Sequence, residues 1–560
     1  MKKLKVQSHA IKKPYKIKKM GTSGLRETQH VYNQPMFLEQ FIQGIALFFK
    51  ELTDDREIAE KNKTIIVAGD PREGNRERIR RIASILGANG FDILIAKDGI
   101  ASTPAMSHAI RQLNVAGGII LTASHNPFTD VGIKVNMSDG APANDRDIQR
   151  INELQNKVKS VHLIDYDRFA EMEKITEIDI VAIYADLLDK IFDFDEMKNA
   201  IEKNGIRGAF DCMYGAAGPF AEEIFINRLN MDADLLRSEP REDLGGYDKK
   251  GNPLHPEPDF DYIGLLKEHN SSGEYEIVSA WDSDVDRRLD GGKDFFIESA
   301  DEFALFAKYS HLINISALYR EKIFFCRSTV TAATIDLMLP FLQEKYPSKS
   351  IQIIETPTGF KWIAELGNWG VEESNGVGNP YLREKDGIFS TCFLLKIMLE
   401  TGKTPRQLME EIWAQFGRVY FTRGEVSGAR ASEARQLTKI LDTAGKLVGK
   451  KFGGLVLESA GSWDYVHPET GSIASKKAAW VLKFSQGNTI KARFSGTGSG
   501  GYMLRVYCSK YDKKFNLPKS EITKQMKSAF DDFLKKSGFP GKSRQYTDKN
   551  QPDPYKKKKK

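Results

Sequence analysis

The sequence predicts an α/β fold of three α/β units followed by a smaller α+β domain, all enclosing one cleft, and three observations predict it. Short β-branched runs ending in polar or glycine loops alternate with segments of helical period. This pattern restarts near residues 208 and 322, and from about residue 421 it gives way to alternating strands with one late helix. A length of 560 residues exceeds what one core holds, and no low-complexity linker interrupts the body.

Taken in order, the first unit has strand runs at residues 64–68 before Gly69-Asp70-Pro71-Arg72, at residues 92–96, and at Gly117-Gly118-Ile119-Ile120-Leu121. The second starts at Gly208-Ala209-Phe210 and reaches Glu276-Ile277-Val278-Ser279-Ala280 before an acidic loop. The third has runs at residues 322–325 and 351–354. Helices over residues 181–192 and 302–312 read as connectors. The domains expected are therefore 1–203, 204–312, 313–420 and 421–560. In the last, residues 480–484 and 489–493 read as strands, residues 520–535 as a helix, and the polar, lysine-rich end from residue 543 as partly disordered.

Composition narrows the function. With 41% apolar and 28% charged residues the chain is an ordinary globular protein. No run approaches the roughly 18 apolar residues of a membrane span, and the N-terminus lacks an apolar signal core. A cytoplasmic location is expected. The net charge of +6 belongs to the ends: eight lysines lie in residues 1–20 and five in residues 556–560, without an acid in either segment. Setting those thirteen aside leaves 69 basic against 76 acidic residues. Such runs read as solvated tails, and nucleic acid is not expected as a partner. Cys212, Cys326, Cys392 and Cys508 are far apart, so neither a zinc site nor a disulfide scaffold is indicated.

Three loops can carry chemistry. Thr122-Ala123-Ser124-His125-Asn126-Pro127 follows the apolar run and presents a hydroxyl in a turn, as a nucleophile or phosphate carrier, or as a helix-capping turn. A Ser/His/Asp triad is not expected, because adjacent residues of an extended segment point to opposite faces, and no Gly-x-Ser-x-Gly elbow is present. Asp282, Asp284 and Asp286 alternate along what reads as an extended loop, so they can project to one side as hard oxygen ligands for magnesium or calcium, or form a solvated acidic turn. An EF-hand is excluded by Arg287 at the sixth loop position and Lys293 at the twelfth. Arg493-Phe494-Ser495-Gly496-Thr497-Gly498-Ser499-Gly500 offers hydroxyls, close backbone approach and a guanidinium, suiting a phosphate dianion or a plain hairpin loop. Its glycine spacing matches no nucleotide-binding motif, and Arg505 on the next strand can close the cradle.

Two further loops, Glu355-Thr356-Pro357-Thr358-Gly359 and Val371-Glu372-Glu373-Ser374-Asn375-Gly376, suit sugar hydroxyls. Lys385 serves as acid/base if burial or nearby cations lower its pKa, and is otherwise solvated.

Together these loops resemble the α-D-phosphohexomutase superfamily, most closely its phosphoglucomutase branch. The resemblance runs from Gly21-Thr22-Ser23-Gly24-Leu25-Arg26 to Ser495-Gly496-Thr497-Gly498-Ser499, one motif in each proposed domain. It implies three similar mixed-sheet α/β domains plus a smaller C-terminal α+β domain around a central cleft. It implies Ser124 as phosphoryl carrier and metal ligand with Asp282, Asp284 and Asp286. Arg26, His125, Lys134 and Lys385 then serve proton transfer or charge stabilisation. Thr22, Ser23, Arg26, Arg287, Thr358, Gly359, Glu372, Ser374 and Lys385 contact substrate, and Arg493, Ser495, Gly496, Thr497, Ser499 and Arg505 grip phosphate. The implied reaction interconverts glucose 1-phosphate and glucose 6-phosphate, with Mg²⁺ and with glucose 1,6-bisphosphate as intermediate and activator. Because the bisphosphate must turn over, one cradle has to accept a phosphate at either end of the sugar. Relative to the family pattern, Val371 replaces the sugar loop's first glycine, Asn375 its aromatic, and Tyr381 a histidine common in glucose-specific relatives. Ser283 and Val285 fill the metal-loop spacers. These changes bear on sugar preference, so a mutase or bisphosphate synthase for mannose or pentose phosphates is one alternative. A catalytically weak phosphoprotein scaffold is another. Oligomeric state is not readable.

Overall fold

The computed structural model describes residues 5–21, 24–54, 62–313, 321–367, 369–429, 431–496, 502–539 and 547–548. They form two compact units. One comprises Met1–Asp294, His311–Ile315 and Gly376–Gly402; the other comprises Phe295–Ser310, Ser316–Asn375 and Lys403–Lys560.

The first unit contains two mixed sheets. The larger runs Leu25–Thr28, Asp130–Met137, Val115–Leu121, Asn62–Gly69, Asp92–Ile100, Ile175–Ile178 across its width. Its four strands from Val115–Leu121 to Ile175–Ile178 are parallel, the hairpin partner Asp130–Met137 runs against them, and the edge Leu25–Thr28, antiparallel to Asp130–Met137, runs with the four. Val115–Leu121 is buried along its whole length, which explains an apolar run without alternation. Helices Asn75–Ala88 and Thr103–Gln112 make crossovers that parallel pairing demands, and Phe37–Asp54 and Asn75–Ala88 bury Phe41, Phe49, Ile82 and Leu86 in the core. A Cβ at Gly132 would overlap the carbonyl oxygen of Thr122, so this glycine lets the hairpin close beneath residues 122–127.

The smaller sheet has the order Asp232–Leu236, Arg207–Asp211, Ile277–Trp281, Arg288–Gly291. Its last two strands form an antiparallel hairpin, with Trp281 opposite Arg288, and the acidic residues occupy the connecting turn. Trp281 is fully buried and stacks with Phe210 and Phe225, fixing one end of that turn.

In the second unit, parallel strands Ser350–Thr356, Lys322–Ser328 and Gly370–Val371 lie side by side. An antiparallel sheet includes Leu455–Val466, Ile473–Phe484, Asn488–Gly496, Tyr502–Asp512 and Arg418–Ala429. Helices Ala431–Asp442 and Lys519–Lys536 cover one face through Leu437, Leu441, Met526 and Phe530. The expected helix over 302–312 begins earlier, at Ser299, and ends at Tyr309 in a 3₁₀ turn over Ser310–Leu312. Asp301 and Glu302 then lie in its first turn, where the helix dipole favours them. The expected helix over 181–192 is Ile180–Phe192, capped by the Asp179 carboxylate accepting from the Ala182 amide.

Candidate active site

Ser124 closes a tight turn at the end of the Val115–Leu121 strand. It is 1% exposed and lies in the left-handed region at φ 52°. A serine holds that conformation only where its surroundings over-determine it. Its amide donates to Thr122 Oγ1 at 2.8 Å, its carbonyl accepts from Arg72 Nη2, and its hydroxyl donates to Asp282 Oδ2 at 2.8 Å. The left-handed turn also overturns the expectation that His125 points away. That expectation assumed extended backbone, whereas His125 Nδ1 lies 3.4 Å from Ser124 Oγ.

The acidic loop differs likewise from the extended segment expected. It is a turn in which Val285 takes φ 66°, a strained value for a β-branched residue. Three consecutive carbonyls anchor it: Ser283 accepts from the Ala216 amide at 2.9 Å, Asp284 from Thr103 at 2.9 Å, and Val285 from Gly387 at 3.0 Å. Thr103 is held in place as the first residue of a helix whose cap, Ser102, accepts from the Ala105 amide. The result is a buried cluster in which one oxygen from each of Asp282, Asp284 and Asp286 lies within 4.8 Å of the other two.

Cations surround that cluster. Lys134 Nζ donates to Asp284 Oδ2 at 2.6 Å and reaches Asp286 Oδ2 at 3.4 Å, and Thr103 Oγ1 donates to Asp284 Oδ2 at 2.7 Å. Lys385, buried rather than solvated, lies 3.1 Å from Asp286 Oδ2. Arg287 Nε lies 3.7 Å from Asp286 and 4.0 Å from Asp282. Burial, with the charges of Asp284 and Asp286, pushes Asp282 well above the usual carboxylate range. Burial would raise Asp284 and Asp286 too, but Lys134 outweighs it for the first, and Lys385 with Lys134 for the second, so both are held low. Lys134 is raised, because Asp284 and Asp286 outweigh its own desolvation. Burial, then Arg287 and Arg26, pushes His125 well below its ordinary value and keeps it neutral.

The oxygens left over fit a hard cation. Among the described residues Asp284 Oδ1 and Asp286 Oδ1 are buried without a hydrogen-bond partner, and Asp282 Oδ2 lies 4.0 Å from Arg287 Nε. With the Ser124 hydroxyl they make an all-oxygen donor set compatible with a divalent ion. Arg26, in the strand Leu25–Thr28, is half-buried with Nε unpartnered among the described residues, and burial, then Arg287, lowers its pKa against the pull of Asp284 and Asp286. Thr22 and Ser23 lie outside the described residues.

In the second unit the two expected recognition loops meet. The Gly359 amide donates to Glu372 Oε1 at 3.1 Å, and Thr358 Oγ1 is buried without a hydrogen-bond partner among the described residues. Ser374 lies in the turn that follows Glu372. Glu373 accepts from Ser328 Oγ at 3.2 Å and from Tyr507 OH at 3.4 Å, and Arg493 Nε donates to that same Tyr507 oxygen at 3.4 Å. Glu373 and Tyr507 thus tie the expected recognition loop to the expected phosphate strand. Arg493 and Arg505 are direct cross-strand partners. Ser495 and Gly496 close the strand, and Thr497 and Ser499 lie outside the described residues.

Sequence reasoning missed Asp70, Arg72 and Thr103. Asp70 Oδ2 accepts from Arg72 Nε at 2.9 Å, Thr122 Oγ1 at 2.7 Å and Ser283 Oγ at 2.6 Å. A charged Asp-Pro-Arg directly after an apolar strand, where α/β sheets place their sites, was the available signal.

Among the described residues no helix is long and apolar enough to cross a membrane. Three family profiles match the chain. Phosphoglucomutase/phosphomannomutase, alpha/beta/alpha domain I, matches residues 17–162 and domain III residues 335–416. The C-terminal domain of phosphoglucomutase-1 matches residues 418–553. Phosphoglucomutase 1 of Drosophila melanogaster is 32% identical, covering 96% of this chain and 98% of its own. Phosphoglucomutase-1 of Homo sapiens is 31% identical, covering 89% and 91%. The crystal structure of the Paramecium exocytosis-sensitive phosphoprotein pp63/parafusin, a phosphoglucomutase in its open form, superposes with a TM-score of 0.81 at 30% identity, covering 95% of this chain and 97% of that one. Near-complete alignment at this identity, on a fold with a buried serine beside an acidic triad, shows that the chain belongs to the phosphoglucomutase/phosphomannomutase family of enzymes.

Proposed function

We propose that this chain interconverts glucose 1-phosphate and glucose 6-phosphate through phosphorylated Ser124, with glucose 1,6-bisphosphate as intermediate and Mg²⁺ held by Ser124, Asp282, Asp284 and Asp286. One observation carries this proposal: the Ser124 hydroxyl is buried and donates at 2.8 Å to Asp282 inside an oxygen cluster. When bound, the ion supplies charge withdrawal at the Ser124 oxygen. In each half-reaction the bond from phosphorus to one oxygen breaks as the bond to the other forms, and the acceptor's hydroxyl proton ends on the oxygen released.

The chain's own groups divide this work by charge. His125, neutral and 3.4 Å from Ser124 Oγ, suits proton transfer. Lys134, kept cationic by Asp284 and Asp286, suits charge stabilisation, as do Lys385, Arg26 and Arg287. Thr358, Gly359, Glu372 and Ser374 would take sugar hydroxyls, the orphaned Thr358 Oγ1 being ready for one. Arg493, whose charge is reinforced by Tyr507 and Glu373 against the cost of burial, would anchor the phosphate with Ser495, Gly496, Thr497, Ser499 and Arg505. Glucose as the sugar is supported by the names of the relatives above.

Enzyme stripped of its Ser124 phosphate should be nearly silent with glucose 1-phosphate and start when a trace of glucose 1,6-bisphosphate is added. Full-rate interconversion without bisphosphate would exclude the phosphoserine route.

A further inference from the structure

From the contacts between the serine turn and the acidic turn we infer that Ser283, in a spacer position of the acidic loop, is a positioning residue that aims Ser124. The inference rests on the phosphoserine reading above. Ser283 is fully buried, and its hydroxyl lies 2.6 Å from Asp70 Oδ2 and 3.1 Å from the Ser124 carbonyl oxygen. A hydroxyl has one proton, and the shorter of the two contacts takes it. Ser283 therefore donates to Asp70 and accepts from Arg72 Nη2 at 3.3 Å.

These bonds close a ring through the nucleophile. Arg72 binds the Ser124 carbonyl and, at 2.9 Å, Asp70; Asp70 holds Ser283; and Ser283 is chain neighbour to Asp282, which receives the Ser124 hydroxyl at 2.8 Å. The Ser124 amide enters the same ring, because its acceptor Thr122 Oγ1 donates to Asp70 at 2.7 Å. Asp70 and Arg72 are each 1% exposed, so their ion pair works in a low-dielectric setting where a lost partner is costly. Ser283 is the one side chain of the acidic turn in this ring that is not an acid. An alanine at position 283 would leave Asp282 in place as an oxygen ligand while removing the tie that locks its turn to the serine turn.

Phosphoryl transfer needs the attacking and leaving oxygens near a line, and an error of about 1 Å can cost roughly 100-fold. Ser283→Ala should therefore slow transfer while sparing binding. The experiment uses dephosphorylated full-length enzyme with Mg²⁺ and glucose 1,6-bisphosphate, following the mass gain at Ser124 in a single turnover. In that step Ser124 Oγ bonds to phosphorus as a sugar oxygen leaves, and the serine proton ends on that oxygen. Ser283→Ala is expected to lower the rate about 10- to 100-fold, with the bisphosphate concentration at half-maximal rate within twofold of wild type. Ser283→Cys, nearly isosteric but a weak donor, is expected to fall between the two, and it keeps the test open should the alanine variant fail to fold. A folded Ser283→Ala, or failing that a folded Ser283→Cys, that phosphorylates Ser124 at the wild-type rate overturns the positioning role. Wild-type enzyme that gains no phosphate overturns the phosphoserine reading instead, and this inference with it.

Discussion

Replacing Asp284 by alanine is expected to damage fold and chemistry together, whereas asparagine separates them. The Asp284 side chain is fully buried and accepts from Lys134 Nζ at 2.6 Å and Thr103 Oγ1 at 2.7 Å. Alanine leaves a Lys134 ammonium that is 10% exposed with Asp286 at 3.4 Å as its remaining carboxylate. Stranding one member of a buried pair costs about 3–5 kcal/mol, far more than the fraction of a kcal/mol expected at an exposed loop. Asparagine keeps an oxygen that accepts both bonds at the same place, so its cost is that of weakening one charged hydrogen bond, about 1.5–3 kcal/mol at most. Both variants remove a negative ligand from the proposed Mg²⁺ site, and a loss of a few kcal/mol of charge stabilisation is about 100-fold in rate. The assay pairs urea unfolding with coupled detection of glucose 6-phosphate across a Mg²⁺ titration, with chelator as the zero point. Wild-type enzyme should stop in chelator and resume with Mg²⁺. An asparagine variant with wild-type turnover and wild-type Mg²⁺ dependence, or an alanine variant as stable as wild type, would refute the reasoning.

Ser124→Ala should abolish both the phosphopeptide seen by mass spectrometry and nearly all mutase turnover, and retained turnover would count against the carrier role. Glu372→Gln should lower glucose phosphate turnover markedly while leaving inorganic phosphate binding nearly unchanged; equal losses would make that loop structural. Trp281→Ala, which empties the stack on Phe210 and Phe225 beneath the acidic turn, should destabilise by about 3–5 kcal/mol in denaturant titrations, and a loss below 1 kcal/mol would contradict the packing. Asp386 is buried against Tyr184 OH at 2.6 Å, and burial raises its pKa to about 7. Its folded state thus holds a proton that the unfolded chain releases near pH 4, so its contribution to stability falls as pH rises from about 4 to about 7. Asp386→Asn should flatten that part of the stability profile, and an unchanged slope would mean that other groups set it.

What the sequence shows of this protein tracks how local the physics is. Val115–Leu121 is legible as a buried strand because both faces are covered, and the strand of residues 64–68 because its β-branched run stops at Gly69, whereas the strand expected over 92–96 continues through Lys97, Asp98 and Gly99 to Ile100. Helix starts are less legible. The Ser299 start lies outside the expected span because tertiary packing of Phe303 and Phe306, rather than a capping side chain, sets the helix. The carboxylate triad is legible because three acids at alternate positions directly follow a strand, although the turn that gathers them is not, since it depends on a strained Val285 held by the Gly387 amide.

The remaining site residues are hidden by sequence distance. Ser283 and Asp70 are separated by 213 positions, Lys134 and Asp284 by 150, and nothing within either segment marks the pairing. Lys385 shows the consequence most sharply. In its charged run it reads equally as an acid/base or a solvated side chain, and only the fold shows that it is buried beside Asp286. Three acids, Asp282, Asp284 and Asp286, thereby face Lys134, Lys385 and Arg287, a set that balances in charge when all three acids are ionised. Adding a divalent cation or a phosphate dianion alone to such a buried, balanced set is penalised by uncompensated charge, whereas adding both restores the balance. Metal and phosphoserine should therefore stabilise one another's binding, and that coupling resides in the spatial arrangement of residues no single motif contains.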